Sequence, residues 1–167
     1  MNRELFTNII VFFTVIISQI LLFNNMSLWD YTPYIYLIFI LVYPVKYNQI
    51  SLIFLSFLLG LSIDFFSNSG GIHASACLVI AYIRPYVLKF SFGTSYEFHH
   101  IKFANTDFAQ RISYFTILIT LHHLVLFLLE AGSLSLIGYT LKHTLISSVY
   151  TLLLSLLLLF LFSKKKK

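Results

Sequence analysis

Apolar residues in this chain come in long blocks, and most blocks are close to the length a helix needs to cross a bilayer. The first runs from about Leu5 to Phe23, and others cover roughly Trp29 to Tyr43, Gln49 to Phe66, Ile72 to Phe90, Ile112 to Leu129 and His143 to Phe162. A helix rises about 1.5 Å per residue, so about 20 apolar residues match a hydrocarbon core about 30 Å thick. Six such blocks predict an all-α, polytopic membrane protein with six transmembrane helices in one bundle over residues 1–167. Composition agrees. Hydrophobic residues make up 59% and charged residues only 10%, whereas a soluble domain carries about 25% charged residues to cover its surface.

The first block has the flank of a signal peptide, since Arg3 precedes it. Asn24, Asn25, Met26 and Ser27 follow it, however, and offer no small-x-small cleavage site. The expectation is a retained helix. Pro33 in the second block suits a first helical turn, Pro44 ends that block, and Ser67-Asn68-Ser69-Gly70-Gly71 is a compact turn signal. The single Cys77 leaves no disulfide framework and no multi-cysteine metal site. Basic residues are scattered at block ends or held in one terminal run. No basic face is available to follow phosphates, so nucleic acid is not an expected partner.

Those basic residues fix an expected orientation. With the N-terminus inside, Arg3, Lys46, Arg84, Lys89, Lys102, Arg111 and Lys164 to Lys167 face the cytoplasm, and only Lys142 faces outward. Ten against one is the asymmetry that the positive-inside rule requires, and it places both termini in the cytoplasm.

Polar residues inside the blocks carry the functional information, because a charge in hydrocarbon costs about 2.5–3.5 kcal/mol on insertion scales. Ser56, Gly60 and Asp64 recur every four residues in the third block, a spacing that lets another helix approach closely. Asp64 is read either as an interfacial carboxylate ending that stripe or as an inward acid paired with His73 across the turn. His73 opens the fourth block as an interfacial histidine. Arg84 is expected to reach the cytoplasmic interface as an anchor, since a dozen helical residues (about 18 Å) separate it from the outer end. Pro85 should kink its helix. Stripes of polar residues in the fifth block (Ser113, Thr116, Thr120, His123, Phe127, Glu130), the sixth (Thr144, Ser148, Thr151, Ser155) and the first (Thr7, Thr14, Ser18) suggest helix–helix seams. A small-ligand site would use the groups converging near the outer face: Asp64, His73 and Glu130.

Enzymatic motifs are not found. His99-His100 and His122-His123 are adjacent pairs rather than the i, i+4 pair that places two ligands on one helix face, and there is no G-x-S-x-G, H-E-x-x-H or phosphate-cradling glycine loop. No catalytic residue, metal or cofactor is expected.

The stretch Gly60-Leu61-Ser62-Ile63-Asp64-Phe65-Phe66, followed by Gly70-Gly71-Ile72-His73-Ala74, resembles the core of the rod shape-determining protein MreD family, as do the length, the hydropathy pattern and the basic tail. Two features depart from that family: the turn lacks its usual proline, and the histidine-rich loop from Ser91 to Arg111 maps onto no family feature. The resemblance implies a non-enzymatic component of the bacterial elongasome in the inner membrane. It would bind MreC, a single-span protein, with links to RodA, its penicillin-binding partner and, indirectly, MreB. Gly60, Asp64, Gly71, His73 and Arg84 are then the candidate partner-binding or structural residues. The family is also said to look like the S-component bundle of energy-coupling-factor transporters, which implies, as an alternative, a vitamin-binding transport subunit.

Overall fold

The structure is a computed structural model that describes residues 2–45, 47–93, 103 and 106–162. Lys46, His99, His100, Lys102, the terminal lysines and the side chain of Arg3 lie outside the described set, so much of the expected charge asymmetry does too.

Helix α1 spans Asn2–Leu21, α2 Leu37–Val42, α3 Gln49–Ser67, α4 Ile72–Phe92, α5 Phe108–Ala131 and α6 Ile137–Phe162. Five of them (all but α2) are long and apolar enough to cross a membrane. The sequence boundaries hold within a few residues for α1, α3 and α4. Both α5 and α6 start earlier than expected, and most residues between the fifth and sixth blocks belong to a 3-10 turn (Leu134–Leu136) and the start of α6.

Helices α3 to α6 pack consecutively, α3 on α4, α4 on α5 and α5 on α6. Residue pairing gives the direction: His73 near the start of α4 shares a partner with His122 late in α5, whereas Arg84 late in α4 bonds Tyr114 early in α5. The two helices therefore run antiparallel. We call the end of the bundle holding the α3–α4 turn the hairpin end.

The largest departure from expectation is the second block. In place of a continuous helix from Trp29, the chain makes a tight turn at Leu28–Tyr31, with mutual backbone hydrogen bonds of 3.1 and 3.0 Å and positive φ at Trp29 (48°) and Asp30 (69°). It stays irregular through Pro33 and becomes helical only at α2. This segment nevertheless runs through the centre of the bundle, with Ile35, Tyr36, Leu37, Phe39, Ile40 and Leu41 all no more than 2% exposed. Hydropathy recognised its burial but not its conformation. Proline lacks an N–H, two left-handed residues precede it, and side chains elsewhere in the bundle bond the released backbone groups.

Two of the polar stripes are corrected. On α5 the buried face is Tyr114, Phe115, Leu118, Ile119, His122, His123, Leu126 and Phe127, while Ser113, Thr116 and Glu130 are exposed. Bulky residues set the packing face, and helical hydroxyls can bond their own i−4 carbonyl and so face lipid at little cost. On α1, Thr7 and Thr14 are likewise exposed, and among the described side chains the buried polar residue is Gln19. The α6 stripe is as expected: Thr144, Ser148, Thr151 and Ser155 are buried.

Candidate functional site

At the hairpin end, α3 stops where Asn68 takes the left-handed conformation (φ 53°) and its N–H returns to the Asp64 carbonyl. Gly71, at φ 96°, is the N-cap of α4; that conformation suits glycine, but glycine has no side chain to cap the free N–H groups behind it. Asp64 does so instead. Its Oδ1 accepts the His73 N–H (3.0 Å) and the Ser69 hydroxyl (2.5 Å), and its Oδ2 accepts the Ala74 N–H (2.8 Å). A carboxylate against a helix N-terminus also meets the positive end of the helix dipole. The arrangement requires α3 and α4 to touch, and Gly60 allows this: a Cβ there would lie 2.5 Å from the Ala74 Cα and 2.6 Å from the His73 carbonyl oxygen. Gly60, Asp64, Gly71 and His73 thus act on one another, and Asp64 pairs with the backbone of His73 rather than with its ring.

The His73 ring turns inward. Its Nδ1 lies 2.8 Å from the Tyr36 hydroxyl, which lies 3.0 Å from His122 Nε2 on α5. A hydroxyl has one proton to donate. His122 Nδ1 is buried with no partner, and a bare nitrogen there costs less than an orphaned N–H. The balance therefore assigns the proton of His122 to Nε2, which donates to Tyr36, and the Tyr36 hydroxyl proton is left for His73 Nδ1 or the neighbouring Cys77 sulfur. In the arrangement where His73 Nδ1 accepts, the His73 proton sits on Nε2. His123 beside them donates from Nδ1 to the Ile119 carbonyl (2.8 Å) and accepts at Nε2 from Thr151 (3.2 Å), whose oxygen in turn accepts the Tyr34 N–H (3.0 Å).

The irregular stretch before α2 is anchored by Gln19. Its Oε1 accepts the N–H groups of Ile35 (2.7 Å) and Tyr36 (3.3 Å), and its Nε2 donates to the Pro33 carbonyl (3.0 Å) and to Asn24 Oδ1 (2.9 Å). At its far end the carbonyls of Leu41 and Tyr43 accept from the Arg84 guanidinium. Arg84 Nε also donates to the Tyr114 hydroxyl (2.8 Å), which passes its proton to Leu41 O (3.0 Å). Arg84 is only 3% exposed, so the expected interfacial anchor is an internal cap on the C-terminus of α2. Eleven residues along α4, about 16 Å, separate it from His73, and it belongs to a different cluster.

Pro85 does not interrupt α4, which is continuous through it. Its missing N–H leaves the Ala81 carbonyl, four residues earlier, without a helical donor. The Gln49 side chain supplies one at 2.6 Å.

A polar cleft of about 510 Å3 opens at the hairpin end, with His73, Glu130, Tyr34, Asn24 and Asn68 in its lining. Of the three groups expected to converge there, His73 and Glu130 do. Asp64 is occupied by backbone and hydroxyl donors. Tyr36, His122, Tyr114 and Gln19 were missed as site residues; a glutamine inside an apolar block was the one available signal, since tyrosines and adjacent histidines read equally well as packing.

No family model matches the chain, and neither the curated proteins nor the solved structures contain a match to it.

Proposed function

We propose that this protein is a non-enzymatic membrane component of the bacterial elongasome, related to the MreD family, that binds an MreC-like single-span protein and supports peptidoglycan synthesis and rod shape. The observation that supports this is the interlock of the motif residues. Gly60 and Asp64 sit one helical turn apart, and they meet Ala74 and the N–H groups of His73 and Ala74 across the turn. That register gives a physical reason for the G-x-x-x-D and G-x-H-A spacing on which the resemblance rests. In the same reading, residues 34–43 serve as a sixth crossing, because they run from the level of His73 to that of Arg84 within the core. Both termini face the cytoplasm of the inner membrane.

Purification of the full chain from bacterial membranes in mild detergent tests the reading. An MreC-like protein is expected to co-purify in fixed proportion, and well-folded protein without one would defeat the proposal. Orientation is tested by single-cysteine labelling after Cys77→Ala: a cysteine at Asn68 should react with an impermeant reagent from the periplasmic side. The vitamin-carrier alternative loses Asp64 as a ligand group and keeps only the open cleft.

A further inference from the structure

The cleft at the hairpin end has a chemistry that the scaffold reading does not use. Glu130 is the one carboxylate in its lining, and it lies at the end of α5. No ion pair accounts for it among the described residues. His73 supplies the opposite character. It is 6% exposed and lines the cleft, and with Nδ1 accepting from Tyr36 its Nε2, which has no hydrogen-bond partner among the described residues, offers an N–H there. The amides of Asn24 and Asn68 add N–H groups, while Ile72 and Leu126 contribute an apolar surface. Asp64, the acid of the hairpin itself, is closed off by its own hydrogen bonds.

A simple anion would meet the donors but be repelled by Glu130. A simple amine would meet Glu130 but leave the imidazole N–H unanswered. We infer that the cleft binds a zwitterion of the phosphoethanolamine class, with its primary ammonium against Glu130 and its phosphate oxygens on the His73 N–H and the asparagine amides. A phosphate presents several acceptor oxygens to such a set, and a cavity of this volume lies within the usual range for small ligands. The cleft opens where four helices end, a position that corresponds to headgroup depth in a bilayer. The same chemical group can therefore come from a phosphatidylethanolamine headgroup or from a soluble phosphoethanolamine ester. This inference is independent of the MreC-binding reading.

The test uses the full chain in nanodiscs. In discs of mixed phosphatidylethanolamine and phosphatidylcholine, native mass spectrometry is expected to find the ethanolamine lipid retained at least tenfold over the choline lipid, which has the same phosphate but no ammonium N–H. Glu130→Gln should abolish that preference. Asn68→Gly, which suits the left-handed backbone and removes one amide, should reduce it severalfold. In discs of phosphatidylcholine alone, calorimetric titration with O-phosphoethanolamine reads the soluble source, with the same two variants as controls. Lipid preference alone identifies the headgroup as ligand, and a saturable titration abolished in E130Q identifies the soluble ester. If neither preference nor titration appears in protein with unchanged helical circular dichroism, the inference is overturned. A preference that survives unchanged in both variants also overturns it, because binding would then lie elsewhere.

Discussion

At the α3–α4 hairpin, the groups that hold the chain are neighbours in sequence: Asp64 bonds backbone N–H groups nine and ten residues away. In the segment 34–43 they are not. Its N–H groups go to Gln19, 16 and 17 residues away, and to Thr151, 117 away, while its carbonyls go to Arg84 and Tyr114, 41 to 73 away. Both regions place backbone groups where no water can reach them, and both pair those groups. The hairpin does so with one carboxylate and a close glycine contact, so its integrity is a property of two helices. The central segment depends on four other helices at once. Damage to the hairpin should stay local in its cause, whereas the segment should loosen whenever any one of its distant partners is lost.

The largest expected effect is at Arg84. Arg84→Leu removes the cap on the Leu41 and Tyr43 carbonyls together with a partner of Tyr114, which should cost about 3–5 kcal/mol in reversible unfolding from mixed micelles. Hydrogen exchange should accelerate through residues 37–43 while the amides of His73 and Ala74 stay protected; equal loss of protection in both regions would erase the contrast. Gly60→Ala tests the other side. Its Cβ would meet α4 backbone, which cannot swing aside as a side chain can, so we expect a loss of about 3 kcal/mol and faster exchange first at His73 and Ala74. Gln19→Leu leaves two buried N–H groups without acceptors and should cost about 2–3 kcal/mol, read as rapid exchange at Ile35 and Tyr36 alone. The smallest effect is at Gln49. Gln49→Met should cost about 1–2 kcal/mol in the native chain, but almost nothing once Pro85→Ala restores the helical N–H to the Ala81 carbonyl.

What the sequence made legible follows the same division. The hairpin was readable because its signals are local: a left-handed turn demands Asn and Gly, and a close helix contact demands a small residue. Its pairing was legible only in part: an acid paired with His73 was one of two readings of Asp64, and the bond goes to the His73 N–H rather than to its ring. Hydropathy found the five long helices because an apolar run long enough to cross a membrane is a property of composition and length alone. It failed on Trp29 to Tyr43, since a buried irregular chain and a buried helix are equally apolar, and the deciding residues, Gln19, Thr151 and Arg84, lie far away. Arg84 was misassigned for that reason: a basic residue near a helix end normally reaches water, and only the folded bundle supplies carbonyls to hold it. On α5, a three- and four-residue step fits two adjacent faces, and aromatic bulk decided between them.

The bond from the Tyr34 N–H to Thr151 has a consequence for biogenesis. A ribosome delivers Tyr34 to the membrane long before Thr151 is synthesised, and α2, with six residues, is too short to enter the bilayer as an autonomous helix. While the rest of the chain emerges, this stretch must wait in a provisional position, sheltered by α1 through Gln19. Its Tyr34 N–H is paired only when the last helix arrives. A chain halted before α6 would leave that N–H, and the His123 ring that Thr151 also meets, without this partner.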